Sequence, residues 1–202
     1  MINETETETE IKIEQNISGE SGEELYRRFQ TGDSGAFKDF VTMHEDELFR
    51  FINSIVHDYH EAKHLTIETF AQLVVNTRKF MGKSSVKTYL FAIGKNLSIR
   101  YIKMRTKEQH LSYEEVIEVL IDDDEAPHSY LERDENKKYL LETMRDLKEE
   151  YRAVLILLYF EDMSYIQAGR VMNKSERQIK DLAYRAKSAL KKKLEIKGFT
   201  YN

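Results

Sequence analysis

Between Met163 and Leu194 the chain carries two capping signals, a tight turn and a long apolar stripe, and few folds accommodate that combination. Ser164 stands where it can cap a short helix running through Tyr165-Ile166-Gln167-Ala168-Gly169-Arg170-Val171-Met172. Asn173-Lys174-Ser175 then reads as a turn. Ser175 can cap a second, longer helix, and Gln178 three residues on completes a capping box. That helix puts Ile179, Leu182, Ala183, Ala186, Leu190 and Leu194 on one stripe. Gly169 supplies a small residue where two helices must approach closely. The pattern is a helix-turn-helix.

The opposite face of the second helix carries Arg177, Lys180, Asp181, Tyr184 and Arg185. From Lys174 to Lys197 there are nine Lys/Arg against three acids, a balance that suits a groove lined with phosphates. Arg177, Gln178, Lys180, Asp181 and Tyr184 lie at the front of the helix, where base edges are read, and Ser175 at its cap is counted with the DNA contacts. Arg185, Lys187 and Lys191 suit phosphates, which position without specifying. The competing reading is an ordinary solvated helix, since lysines near a helix C-terminus are favoured by the macrodipole alone.

Composition narrows the rest. Eight glycines and one proline in 202 residues leave little room for long irregular loops, and the abundance of Leu, Glu, Lys and Arg favours helix. No run alternates convincingly between apolar and polar residues. The expected class is all-α. With no cysteine there is no disulfide framework, thiolate metal site or thiol nucleophile. The longest apolar run, Ala153 to Phe160, is too short to cross a bilayer, and no signal segment opens the chain, so a soluble cytoplasmic protein without membrane insertion is expected. The net charge of −5 conceals a partition. Residues 1–20 hold six Glu and one Lys, residues 108–135 hold eleven acids and one Arg, and residues 78–107 hold nine Lys/Arg and no acid. Two basic surfaces are therefore separated by an acidic linker.

In chain order, residues 1–20 read as an acidic tail with too little apolar content to fold alone. Helices are expected over about Glu23–Gln30, with Leu25, Tyr26 and Phe29 inward, and over Ala36–Val56, with Phe37, Phe40, Val41, Leu48, Phe51, Ile52 and Ile55 inward. A third runs from His60 to Asn76 with Leu65, Phe70, Leu73 and Val74 on its apolar side. Phe80 to Ser85 reads as a loop. Ser84 or Ser85 then caps a helix to about Arg105 with the stripe Val86, Leu90, Ile93, Leu97, Tyr101 and Met104. Lys87, Lys95, Arg100 and Lys103, with Tyr89 and Phe91 interleaved, suit single-stranded or melted nucleic acid, where phosphates meet cations and bases stack on rings. The alternative puts Tyr89 and Phe91 in the core. Two further helices, Tyr130–Arg145 and Leu147–Phe160, precede the helix-turn-helix, and Gly198 ends the last helix. The first of these has Leu131, Tyr139, Leu140 and Met144 apolar; the second has Tyr151, Val154, Leu155, Leu158 and Tyr159.

His60-Glu61-Ala62-Lys63-His64 is a formal match to H-E-x-x-H, in which two His hold zinc and the Glu activates water. Such a site needs a third protein ligand. Ile67 and Phe70 occupy the Gly and His positions of one peptidase class, and no acid lies between Glu68 and Glu108 to serve the other. A zinc hydrolase is the remote alternative; the main reading involves no metal, no cofactor and no catalytic residue.

Leu147-Lys148-Glu149-Glu150-Tyr151-Arg152-Ala153-Val154, Met163-Ser164-Tyr165 and Tyr184-Arg185-Ala186-Lys187-Ser188-Ala189-Leu190 together resemble the −35 binding domain of bacterial extracytoplasmic-function sigma factors. Tyr89-Leu90-Phe91-Ala92-Ile93-Gly94-Lys95-Asn96-Leu97-Ser98-Ile99-Arg100 resembles the same family's W-L-x-x-I-A-x-N-x-x-I-D helix, with Tyr for Trp, Gly94 for Ala and Arg100 for Asp. Glu61 to Phe70 is similar to its D-A-E-D-L-x-Q-E-x-F stretch: Ala62, Leu65, Glu68 and Phe70 fit, while Lys63, His64 and Ile67 stand where two acids and a Gln are usual. The resemblance implies a two-domain sigma factor that catalyses nothing itself. Residues 21–107 would bind core RNA polymerase through Glu61, Leu65, Glu68 and Phe70. They would melt and read the −10 element through Met81, Lys83, Ser84, Lys87, Tyr89, Lys95, Asn96, Arg100 and Lys103. Residues 108–135 would be a flexible acidic linker, and residues 136–197 would read the −35 element. The implied partners are core polymerase, promoter DNA and, as a candidate, an anti-sigma factor. The altered 61–70 surface motivates a second reading, a sigma-like helix-turn-helix regulator that does not partner polymerase.

Overall fold

A computed structural model of the chain describes residues 20–77, 80–109 and 135–197. The described residues form eight α-helices: α1 (Gly22–Gln30), α2 (Ser34–Val56), α3 (Tyr59–Val75), α4 (Val86–Gln109), α5 (Glu135–Arg145), α6 (Glu149–Tyr159), α7 (Tyr165–Met172) and α8 (Glu176–Ile196). The tail, most of the linker, the Tyr130 start expected for α5 and the Gly198 stop fall outside the described residues. The expected helices are present with ends displaced by a few residues, most at α4, which continues past Arg105 to Gln109.

Local chemistry sets the starts. Ser21 Oγ accepts from the Glu24 amide at 3.2 Å, and Asp33 Oδ1 accepts from Gly35 and Ala36 at 3.0 and 3.2 Å. Asp58 Oδ1 accepts from the Glu61 amide at 3.0 Å, and Ser85, rather than Ser84, accepts from the Thr88 amide at 3.2 Å. Both helices of the helix-turn-helix begin with reciprocal capping boxes, Ser164 with Gln167 and Ser175 with Gln178. Asn173 takes the left-handed conformation, φ 55°, that closes α7 and turns the chain into α8. A Cβ on Gly169 would lie 2.6 Å from the Lys174 carbonyl oxygen, so only glycine permits this turn as it stands.

The N-terminal module packs α1, α2 and α3 around α4. Tyr26, Phe40, Leu48, Phe51, Ile52, Ile55, Leu73, Leu90, Phe91 and Ile102 are fully enclosed. Each such side chain contributes about 1.5–3 kcal/mol of transfer free energy. In the C-terminal module α8 packs on α5, α6 and α7, enclosing Val154, Leu157, Ala168, Ile179, Ala183 and Ala186.

The two modules also pack on each other: α2 lies against α6, and α4 against α7. One continuous cluster of buried apolar side chains runs through both. This contact explains where the expected stripes were too narrow or misplaced. With neighbours on several sides, α4 buries a second line, Phe91, Gly94, Ser98 and Ile102. Met104 continues the first line but lies near the far end of α4, where it is exposed, so its assignment to the core is corrected. Helix α6, covered by α8 on one side and α2 on the other, buries Arg152 through Leu157 consecutively, while Tyr159 in its last turn is exposed. Val74 on α3 is exposed as well, against expectation.

Candidate nucleic-acid interface

Helix α8 is held by its stripe: Ile179, Leu182, Ala183, Ala186 and Leu194 are buried and Leu190 is half-buried. Arg177, Gln178, Lys180, Asp181, Tyr184, Arg185, Lys187 and Lys191 are all exposed, as is Ser175 at the cap. An outward face of that length and charge is free to enter a duplex groove. Its side chains are not equally available. Gln178 Oε1 accepts from the Ser175 amide at 2.8 Å, which leaves its amide nitrogen as the free donor. Lys180 pairs with Glu176 at 2.6 Å, which raises its pKa, and its ammonium lies 5.6 Å from the Tyr165 ring centroid. Arg185 donates to the Asp181 carbonyl at 3.3 Å, and Lys187 lies over Tyr159 at 5.8 Å. Tyr184 presents 75% of its surface to solvent. Beside this face, Ile166, Arg170, Asn173, Lys174 and Ser175 line a groove of about 440 Å³ at the N-terminus of α8. Sequence reasoning gave Arg170 no role and took Lys174 only as part of the turn and of the basic count.

The second basic surface is less open. Met81 is exposed by 69% and Lys83 is also exposed; Gly82, φ 65°, gives the loop its turn, and Phe80 anchors it edge-on to Tyr26 at 5.5 Å. Ser84 is half-buried, and Asn96, Arg100 and Lys103 are exposed. Phe91 is core, packed on Phe51 at 5.2 Å, and Tyr89 is half-buried against Phe80 at 5.4 Å. Lys87 points into the contact between modules. Its ammonium is 2.9 Å from Glu47 Oε2 and 3.0 Å from Glu161 Oε2, and the Glu161 side chain has no exposed surface. Burial disfavours the Lys87 ammonium, and the two carboxylates outweigh it, so its pKa rises. Glu47, against its own burial, is held at about 2 by His44 and Lys87. Burial pushes Glu161 up despite Lys87. Lys95 is lowered by burial, with Glu149 of α6 opposing.

On α3, Leu65 and Phe70 are buried and shape the helix from inside, while Glu61 is half-buried. Glu68 pairs with Arg100 at 2.9 Å. The outward residues include His60, Lys63, His64, Ile67, Ala71, Val74 and Val75. Ile67 and Val75, exposed by 60% and 83%, are apolar positions the sequence reading did not place on a surface. His60 and His64 are exposed on the first turns of α3, and among the described residues no group of three His, Cys, Asp or Glu comes together as a metal site.

The Sigma-70 region 2 family model matches residues 40–108, and the Sigma-70 region 4 model matches residues 137–190. The ECF RNA polymerase sigma factor SigM of Bacillus subtilis is 32% identical over 153 residues, covering 76% of this chain and 91% of that protein. The chain belongs to the sigma-70 family, among its ECF sigma factors. SigW of the same organism is 25% identical to this sigma factor over 175 residues, covering 83% of this chain and 94% of SigW. In fold it is similar to the sigma factor RpoE of Bartonella quintana, solved with the anti-sigma factor NepR. That likeness has a TM-score of 0.67 at 21% identity, covering 79% of this chain and 97% of RpoE. The first match takes in α2 from Phe40, α3 and nearly all of α4; the second runs from the start of α5 into α8, to Leu190.

Proposed function

We propose that the chain directs core RNA polymerase to specific promoters, reading the −35 element with α8 and melting and reading the −10 element with α4 and the 81–85 loop. The exposed outward face of α8, set in a family-matched region 4, is the observation that carries this reading. Arg177, Asp181 and Tyr184 are its freest base-edge contacts, with the Gln178 amide nitrogen beside them; Arg185, Lys187 and Lys191 take phosphates. Polymerase docks on α3, through Glu61, Glu68 and the exposed apolar positions around them, over the packing that Leu65 and Phe70 provide. The chain acts in the cytoplasm, where polymerase is, performs no chemistry of its own, and is open to control by an anti-sigma factor. Run-off transcription with purified core polymerase on genomic fragments tests the proposal. Discrete start sites that require this chain are expected. Promoter DNA binding without co-purification of core polymerase would overturn it in favour of a polymerase-independent regulator.

A further inference from the structure

We infer that Asp181 makes α8 a reader of cytosine: its carboxylate accepts from the N4 amine of one cytosine in the major groove and turns away the other three bases at that pair. This deepens the promoter-reading proposal and rests on it for the entry of α8 into a duplex groove.

Of the three acids between Lys174 and Lys197, two are neutralised within α8: Glu176 by Lys180 at 2.6 Å and Glu195 by Lys191 at 3.8 Å. Asp181 is the third. Cations surround it, yet among the described residues none pairs with its carboxylate. Arg185 stands four residues on, in the order that favours an ion pair along a helix, but donates to the Asp181 backbone carbonyl at 3.3 Å. Lys174 lies across a recess of about 140 Å³ that Asp181 also lines, and Glu150 holds it at 3.1 Å. Arg177 stands four residues before, in the less favourable order. Position gives the free carboxylate its consequence. Arg177, Asp181, Tyr184 and Ser188, at spacings of four, three and four, are all exposed and form the crest of α8 opposite buried Ile179 and Ala186. A helix laid in the major groove turns its crest to the bases, so Asp181 meets base edges rather than the rim.

Hydrogen-bond chemistry then singles out one base. An ionised carboxylate only accepts. In the major groove guanine shows it two acceptors, and thymine an acceptor and a methyl group, so either base strands a desolvated charge without a donor. The adenine amine stands between two acceptors, its own N7 and O4 of the paired thymine. The cytosine amine has an acceptor on one side only. Nearby phosphates repel the same charge whatever the sequence, so Asp181 weakens binding everywhere and recovers the loss at one base pair. That is discrimination by rejection, and it is worth roughly ten- to a hundredfold between cytosine and the wrong base.

The test selects duplexes from a randomised library with the full chain, alone and with core polymerase, and compares three proteins. The parent should select cytosine at one pair of its site. Asp181→Asn replaces an acceptor-only group with one that both donates and accepts, the pairing suited to adenine N6 and N7, so the preference at that pair should move from cytosine to adenine with the rest of the site unchanged. A misfolded variant cannot gain a new base preference. Asp181→Ala should flatten the preference at that pair and tighten binding to unrelated duplex severalfold, because a charge that repels phosphates is gone. If Asp181 instead orients Arg177 or Arg185, both variants would weaken binding to every duplex and blur a guanine preference elsewhere in the site, which would overturn the inference. So would a parent site without the cytosine, or one that Asp181→Asn leaves as it was, even where transcription with core polymerase succeeds. The cytosine-to-adenine change without promoter-directed transcription would uphold the role of Asp181 and sink the promoter-reading proposal instead.

Discussion

His57 gives the contact between modules a pH dependence whose sign and size follow from its surroundings. It is the left-handed C-cap of α2, φ 55°, and accepts from Arg152. Burial, then the charges of Arg152 and Arg145, hold its pKa down at about 3 against an ordinary 6.5. If parting the modules returns the ring to its ordinary value, the open form binds the extra proton between pH 6.5 and 3. Closure is then undiminished above pH 6.5 and weakens as pH falls below it. At pH 5.5 the factor is about 11, or about 1.4 kcal/mol. Two carboxylates act in the opposite sense. Burial raises Glu149, on α6 near Arg152, and Glu161, so the closed form takes up their protons more readily. The His57 share is isolated with His57→Asn, which keeps a residue tolerant of the left-handed cap and removes the titration. Between pH 7.5 and 5.5, the open-to-closed ratio read from spin labels on Lys38→Cys of α2 and Ser188→Cys of α8, both exposed positions, should rise about tenfold more in the parent than in the variant. An identical pH response in the two proteins would refute the assignment of the effect to His57.

Two further outcomes follow from α7 and α8. Lys191 is exposed and only loosely paired with Glu195, at 3.8 Å, so Lys191→Ala should reduce the salt slope of duplex binding by about 0.9 for all sequences alike; an effect confined to one base position would reassign it. Gly169→Ala gains about 1 kcal/mol of helix propensity and meets the Lys174 carbonyl at 2.6 Å, a backbone atom that yields only by moving the turn. The net expectation is a loss of about 1–2 kcal/mol in thermal unfolding, with weaker duplex binding; an unchanged melting temperature and affinity would show that the turn tolerates the shift.

What the sequence revealed was mostly local. Capping by Ser175 and Gln178 depends on residues three apart, and the α8 stripe on positions three and four apart, so both were readable. Gln167 closes a second box of the same kind that the reading missed, although the spacing was there. The docking of modules was not readable. Arg152 meets Ser54 across 98 residues and Glu161 meets Lys87 across 74, and no periodicity encodes such pairs. That hidden contact also explains the consecutive burial from Arg152 to Leu157: a helix clamped from several directions has no single inward line. Lys87 was read as a contact to nucleic acid, and the sequence offered no means of telling a phosphate from the carboxylates of Glu47 and Glu161 folded against it.

On the proposed role of Lys87 at promoter DNA, a lysine already claimed by Glu47 and Glu161 makes promoter strength a relative quantity. Every sequence must outbid the same internal competitor, so its observed affinity is the open protein's affinity scaled by the fraction released. Weak sites fall silent first, and loosening Glu161 would widen the set of genes answered without altering a single contact to a base.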